Sequence, residues 1–192
     1  MITELHIKNF KSHSQTSLDL SCLNILSGLN GTGKSSVFQA LLLLRQSYMK
    51  NRLDEGIDLN KPLCRIGSAS DALYQYAKDD LIEFGVKTDQ YPLVSWQFQA
   101  DVFGYFTFLN LANEVKCPDL GRTSLFNLNF QYLSAARLAP RANYPRDTYS
   151  VEKEHQISSE QGKCELVAHF LHHYGKKEKV RFENLNHPQS PV

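Results

Sequence analysis

The segment Gly28-Leu29-Asn30-Gly31-Thr32-Gly33-Lys34-Ser35 constrains this chain more than any other, because it fits the pattern G-x-x-x-x-G-K-[ST] without a mismatch. A strand-like apolar run, residues 23–27, precedes it, and a helix-like run, residues 36–44, follows it. A strand, a glycine-rich loop and a helix in that order are typical of a phosphate-binding loop. The sequence therefore predicts a nucleotide site within an α/β fold.

The residue types of this pattern suit a triphosphate for physical reasons. Backbone N–H groups can wrap the phosphates only if the chain turns tightly, and Gly28, Gly31 and Gly33 turn without Cβ clashes. The ammonium group of Lys34 is suited to the β- and γ-phosphates, and the hydroxyl of Ser35 is suited to a hydrated magnesium ion. The helix that follows adds its positive dipole end. ATP and Mg²⁺ are the expected cofactors.

Composition limits the class of protein. A chain of 192 residues with 42% hydrophobic residues favours one domain, and a net charge of +1 provides no general attraction to nucleic acid or membranes. No apolar run is long enough to cross a bilayer, and the N-terminus does not resemble a secretion signal. We therefore expect a cytoplasmic protein that does not contact membranes.

The cysteines and histidines do not predict a metal centre. Cys22, Cys64, Cys117 and Cys164 form no C-x-x-C pair, so we expect reduced and mostly buried thiols. One predicted helix carries the potential metal ligands Cys164, His169, His172 and His173. Helical spacing often produces such neighbours, and we interpret these histidines as exposed or half-buried surface residues.

The pattern of apolar residues predicts a single domain, 1–192, in three parts. Residues 1–50 should contain a hairpin from Ile2 to Leu20, the phosphate-binding loop and a helix from Gly33 to Met49. Residues 51–70 are polar and are expected to connect this part to the next, with room for one short strand. Residues 60–130 should be a β-rich insert, and residues 131–192 should contain a strand, an irregular loop and a helix.

Inside these parts, individual elements can be placed. A short helix is expected at residues 71–77 and a longer one at residues 162–174, with Leu166, Val167, Phe170 and Leu171 on its apolar side. The segment 138–150 should be irregular. Antiparallel strands are expected at residues 81–86, 93–98, 105–109 and 126–130, and a further core strand at 130–135.

Two family resemblances are carried by different parts of the sequence. Ile7-Lys8-Asn9-Phe10-Lys11-Ser12, followed by residues 23–36, resembles the N-terminal half of SMC/RecF-type ATPases of the ABC class. Residues 132–141 and 162–171 resemble prokaryotic stand-alone AAA-type ATPases, some of which work with nucleases in anti-phage defence, as in Septu systems. The resemblance implies a P-loop NTPase core with an inserted antiparallel β-sheet.

This resemblance also implies how such a protein works and which residues take part. ATP would clamp two subunits into a homodimer, and hydrolysis would release them and drive a DNA-processing, repair or defence partner, with a nuclease and DNA as the candidate partners. Lys11 would approach the nucleotide, although a solvated turn lysine is the alternative, and Gln131 would reach the metal beside Ser35. The full phosphate-binding set is then Lys11, Gly28, Asn30, Gly31, Thr32, Gly33, Lys34, Ser35 and Ser36.

The carboxylate pair that ABC-class hydrolysis requires is not identifiable, nor are the signature motif and the switch histidine. Asp54-Glu55 and Asp79-Asp80 do not follow apolar strands and are interpreted as polar surface. The catalytic residues therefore stay unassigned. We favour an incomplete nucleotide-binding domain whose catalytic carboxylates lie beyond Val192; the alternative is a short module that responds to nucleotide without hydrolysing it.

Basic residues provide a weaker signal for DNA. Arg137, Arg141 and Arg146, together with the lysines and arginine of residues 176–181, are suited to a DNA backbone. They are equally suited to solvent or to contact with a further lobe of the protein, so the sequence leaves these interpretations open.

Overall fold

A computed structural model describes residues 1–115 and 119–175 of the chain. The chain divides into two compact units, the first spanning Met1–Phe130 and the second beginning at Gln131. The first unit contains the sheet and the phosphate-binding loop. Cys117 and the basic residues of 176–181, which were considered for DNA contact, lie outside the described residues.

The first unit is built on a six-stranded antiparallel sheet. The strand order is β2-β1-β4-β5-β6-β3, with β1 (Ile2–Phe10), β2 (His13–Asp19), β3 (Gly56–Asp58), β4 (Leu81–Thr88), β5 (Val94–Gln99) and β6 (Phe108–Leu111). The predicted hairpin and the strands near residues 81 and 93 are confirmed, whereas the run at 105–109 is a strand only from Phe108. Because β4 pairs directly with β1, the hairpin and the predicted insert share one sheet.

Apolar residues at every second position of the central strands form the core. Leu5 and Ile7 of β1 are buried, and Ile82, Phe84 and Val86 of β4 are buried at every second position. Side chains with period two lie on one face of a strand, so these residues form a common apolar face. The ring of Phe84 meets Phe10 edge-on at a centroid distance of 5.0 Å, and it lies 5.9 Å from the ring of Phe98. The opposite face of β1 carries polar residues such as Glu4, His6 and Lys8.

The predicted first helix is confirmed as α1 (Lys34–Met49), and it is buried on more than one side. Three polar residues in its second half, Arg45, Gln46 and Ser47, are buried together with the leucines. Gln46 Nε2 donates to Asp58 O at 2.6 Å, and Gln46 Oε1 accepts from the N–H groups of Leu63 and Cys64. The side chain of Gln46 therefore holds the segment that was predicted to connect α1 to the β-rich part.

The short helix α2 (Ala69–Ala72) begins and ends earlier than the predicted helix at 71–77. Ser68 and Asp71 form a reciprocal capping box, which starts the helix before residue 71. After one turn the chain becomes extended, because Leu73 forms a bridge with Phe10 and the N–H of Tyr74 donates to Asn9 O at 3.0 Å. Pairing with the end of β1 therefore ends this helix.

Three predicted strands are wrong. Residues 23–27, before the phosphate-binding loop, are not assigned as a strand, and the side chains of Leu23 and Ile25 are 78% and 81% exposed. A strand exists only through pairing, and no described strand pairs with this run. Residues 126–130 form turns and residues 130–135 are irregular. Phe126 is buried against Tyr48, with ring centroids 4.8 Å apart, so its apolar ring is removed from water without forming part of a sheet.

In the second unit, residues 138–147 are irregular as predicted, and a π-helix at Tyr149–Lys153 was not predicted. The helix α3 (Val167–Tyr174) begins five residues later than the predicted start at 162. Gly162 and Cys164 have left-handed φ values of 66° and 60°, which interrupt a regular helix. Leu166 is buried, but Leu171 is 61% exposed and does not belong to the apolar side predicted for it.

The thiols are only partly as expected. Cys64 is buried, Cys164 is half-buried and Cys22 is exposed, and all three are free. Among residues 1–115 and 119–175, no group of histidine, cysteine and carboxylate side chains could hold a metal ion. Over the same residues, every helix is too short or too polar to cross a lipid bilayer.

A candidate phosphate-binding cleft

The loop before α1 depends on three glycines with left-handed backbone angles. The φ values are 145° at Gly28, 85° at Gly31 and 94° at Gly33. Residues with a Cβ rarely adopt these angles. The glycine spacing of the motif therefore corresponds to a loop that only glycine can form without strain.

The end of α1 that faces this loop is suited to an anion. The residue before the helix, Gly33, has no side chain to cap the first N–H groups, and the first turn contains no acidic residue. The N–H groups and the positive dipole end are therefore not neutralised by a neighbouring carboxylate of that turn. A phosphate group at this position would accept hydrogen bonds from these N–H groups and would interact favourably with the positive dipole end.

Lys34 is held against its own loop. Its ammonium group donates to Gly28 O at 2.7 Å and to Leu29 O at 2.5 Å, and the hydroxyl of Thr32 donates to Leu29 O at 2.9 Å. Carbonyl oxygens carry less negative charge than phosphate oxygens, so a bound phosphate would compete well for this ammonium. The bond from Thr32 to Leu29 O then holds the shape of the loop, and the carbonyl of Gly28 holds Lys34 only while no phosphate is bound.

A cleft of about 430 Å³ opens at the N-terminal end of α1. The predicted residues that line it are Lys11, Asn30, Gly31, Gly33, Lys34, Ser35 and Ser36. The structure therefore brings the hairpin turn and the glycine loop to one site, with two ammonium groups and the Ser35 hydroxyl around it. This donor set fits a magnesium-bound triphosphate. Which of these residues contact nucleotide stays a prediction.

Gln131 belongs to the second unit, where its side-chain amide makes local contacts. Its Nε2 atom donates to His155 O, and its Oε1 atom accepts from the N–H of Ile157 at 3.4 Å. Its assignment to magnesium stays a prediction.

Asp71 also lines the cleft, and sequence reasoning did not single it out. The N–H and the hydroxyl of Ser68 both donate to Asp71 Oδ2 at 2.8 Å. These bonds, and the nearby Lys11 ammonium, lower the pKa of the Asp71 carboxyl, which keeps it ionised at neutral pH. The S-x-x-D spacing of residues 68–71 was the available signal, because it marks a capping box.

The acidic pairs rejected as catalytic carboxylates are indeed surface residues. Asp54, Glu55, Asp79 and Asp80 are all exposed. Asp79 has a local role, because its Oδ1 atom accepts from Asn9 Nδ2 at 2.8 Å and so steadies the end of β1.

A larger cavity of about 730 Å³ lies elsewhere in the first unit, beside Tyr48 and Trp96. No residue of the glycine loop lines it, and Asp54, Glu55 and Glu114 contribute carboxylates to it. Like charges repel, so this cavity is poorly suited to a triphosphate. The smaller cleft at α1 is the better candidate.

The fold and the cleft define a P-loop nucleotide-binding protein of the α/β class. Residues 1–179 match the family described as AAA ATPase domain, and the chain belongs to this family. It is also similar to the DNA double-strand break repair Rad50 ATPase of Archaeoglobus fulgidus, with 43% identity over 44 residues. That alignment covers 22% of this chain and 5% of the relative's length. No solved structure matches the chain significantly.

Proposed function

We propose that the cleft at the N-terminus of α1 binds ATP with Mg²⁺, and that ATP binding joins two subunits whose separation follows hydrolysis. The observation that carries this proposal is the placement of Lys34, Ser35 and Lys11 around one cleft at an uncapped helix N-terminus. Lys34 exchanges its bonds to Gly28 and Leu29 for phosphate oxygens. The Ser35 hydroxyl holds the magnesium ion, which neutralises charge on the phosphates.

The cellular role proposed for this ATPase is to drive a DNA-processing, repair or defence partner in the cytoplasm. The similarity to a protein named a DNA double-strand break repair ATPase supports the DNA-directed part of this proposal. A nuclease is the partner proposed for it, as the resemblance to defence ATPases implies. The run at Leu23 and Ile25 is exposed, and none of the strands that the structure describes pairs with it, which supports the further proposal that additional strands complete the nucleotide-binding fold.

A second candidate is a module that binds nucleotide without efficient hydrolysis. Among the described residues that line the cleft, Asp71 is the lone carboxylate, and Ser68 already engages one of its oxygens. ABC-class hydrolysis needs one carboxylate for the metal and another for the attacking water. The described part of the cleft thus favours binding over turnover.

The test is Mg²⁺-dependent ATP binding and hydrolysis by the chain and by Lys34→Ala. Lys153→Ala is the matched control, because Lys153 is an exposed lysine of the second unit. We expect tight binding in the wild type and in Lys153→Ala, and its loss in Lys34→Ala. Equal affinity in all three proteins would contradict the site. Turnover that is sensitive to Lys34→Ala would mean that carboxylates within this chain complete the catalytic site. Binding without turnover would contradict that, and it fits both a half-site that needs further strands and the non-hydrolysing module.

Dimerisation and DNA binding need separate measurements. Light scattering with and without saturating ATP reports the mass in solution, and a mass that ATP does not change would contradict the ATP-dependent dimer. A labelled DNA duplex, titrated with and without ATP, tests the proposed partner class.

A further inference from the structure

The imidazole ring of His13 lies between the hairpin and the phosphate-binding loop, although no motif includes it. His13 is the first residue of β2, and its side chain is largely buried. Its Nε2 atom lies 3.1 Å from Gly33 O, and its Nδ1 atom lies 2.9 Å from the hydroxyl oxygen of Thr16. Both ring nitrogens therefore have polar partners.

These two contacts determine which nitrogen of the neutral ring carries the proton. A carbonyl oxygen only accepts, so Nε2 must donate its proton to Gly33 O. Nδ1 then has a lone pair, and the Thr16 hydroxyl donates to it. Thr16 lies on β2 and is paired with Ile7 of β1, so the sheet fixes the position of this hydroxyl.

The bond from His13 acts on the phosphate cradle through one peptide group. The C=O of Gly33 and the N–H of Lys34 belong to the same planar peptide unit and point in opposite directions when it is trans. Gly33 O also accepts from the N–H groups of Ser36 at 2.9 Å and Val37 at 3.2 Å. Fixing this oxygen on the helix side therefore directs the Lys34 N–H towards the cleft, where an anion would bind.

The contact is close as well as polar. A Cβ atom added to Gly33 would lie 2.7 Å from His13 Nε2 and 2.4 Å from the Ser12 hydroxyl oxygen. The hairpin turn therefore packs directly on the backbone of Gly33, and a larger residue at position 33 would displace the ring.

We propose that His13 is a positioning residue of the nucleotide site, which holds the Gly33 peptide so that the Lys34 N–H faces the phosphates. This inference rests on the proposed ATP binding and adds a residue to that site. His13 does not touch the nucleotide. Its effect reaches the phosphates only through the orientation of the Gly33 carbonyl.

The test compares His13→Leu, which removes the donor, with His13→Gln, whose amide N–H can replace Nε2–H. His6→Leu is the matched control on the same hairpin. Loss of one neutral hydrogen bond should weaken ATP binding about threefold to tenfold in His13→Leu, and His13→Gln should stay within about twofold of the wild type. Thermal unfolding without nucleotide shows that each variant is folded at the assay temperature.

A purely structural role would predict a different pattern. If His13→Leu binds ATP like the wild type, or if His13→Gln weakens binding as much as His13→Leu, the inference is wrong. If the wild-type protein does not bind ATP, the proposed function is wrong, and the inference, which rests on it, is wrong as well.

The contact itself has a second test that needs neither ATP nor a variant. Long-range ¹H–¹⁵N NMR spectra of the wild-type chain distinguish the two neutral tautomers of His13. We expect the proton on Nε2, as the bond to Gly33 O requires. A ring protonated on Nδ1 alone would overturn the inference even if the chain binds ATP.

Discussion

The backbone N–H of Lys11 donates to the carbonyl oxygen of Ala72 at 2.8 Å, and this bond fixes the hairpin turn to the short helix α2. Lys11 has a left-handed φ of 51°, which a residue with a Cβ adopts only when its surroundings hold it. The turn that carries the second ammonium group of the cleft is therefore anchored from two sides, by α2 and by the strands of the hairpin.

Replacing Lys11 by alanine should separate a phosphate contact from a solvated turn lysine. If the ammonium binds phosphate, Lys11→Ala weakens ATP binding at least about tenfold, because a hydrogen bond to a charged group is lost. AMP, which lacks the β- and γ-phosphates, should be affected less. Titrations of both nucleotides measure this difference, with Lys8→Ala on the neighbouring strand as the control. Unchanged ATP affinity would show that Lys11 is solvated.

Ser68→Ala should affect the site from a distance, through α2. The hydroxyl of Ser68 caps this helix and bonds to Asp71 Oδ2, so its loss costs about 1 kcal/mol of unfolding free energy. A frayed α2 would also release the anchor of Lys11. We expect ATP affinity to fall by less than in Lys11→Ala. Chemical unfolding and nucleotide titration give the two values, and Ser14→Ala, at an exposed position of β2, should change neither.

The two loop glycines Gly31 and Gly33 should respond differently to alanine. Both have left-handed φ values, so either substitution adds roughly 1–2 kcal/mol of backbone strain. A Cβ at Gly31 meets no atom within 4 Å, whereas one at Gly33 lies 2.4 Å from the Ser12 hydroxyl oxygen. Gly33→Ala should therefore lower both the melting temperature and the ATP affinity more than Gly31→Ala. The reverse order would show that the close packing of the turn on Gly33 is unimportant.

The parts of this structure that were predictable are those in which one local pattern determines the outcome. The glycine motif identified the loop and the start of α1, and alternation identified the central strands, because each of these signals lies within a few neighbouring residues. The turn at Lys11 lies at the cleft through contacts of the hairpin with Gly33 and Ala72, which are distant in sequence, and the resemblance alone had implied it.

The parts that were missed depend on contacts between residues far apart in the chain. Gln46 looks like a surface position of a helix, yet it bonds to backbone groups at residues 58, 63 and 64. The apolar run containing Leu23 and Ile25 has strong strand character, but no strand within residues 1–115 and 119–175 pairs with it to form a ladder. The sequence did not indicate a role for His13, because its contacts with Gly33 and Thr16 are recognisable only in the three-dimensional structure.

The thiols of Cys64 and Cys22 should differ sharply in reactivity. Burial raises the pKa of the Cys64 thiol to about 12, from an ordinary value of 9.0. Because the thiolate is the reactive form, Cys64 should resist iodoacetamide at pH 8.5 while the exposed Cys22 reacts. Mass spectrometry of the labelled, digested protein measures both sites, and labelling after unfolding should abolish the difference.

The same raised pKa should make the free energy of unfolding fall as the pH rises above about 9. The unfolded chain loses the Cys64 proton near pH 9, whereas the folded chain retains it to about pH 12, so the unfolded state is favoured as the pH rises through this range. Wild-type stability should therefore fall between pH 9 and pH 12 more steeply than that of Cys64→Ala. Parallel slopes in urea unfolding would show that the folded protein does not suppress ionisation of this thiol.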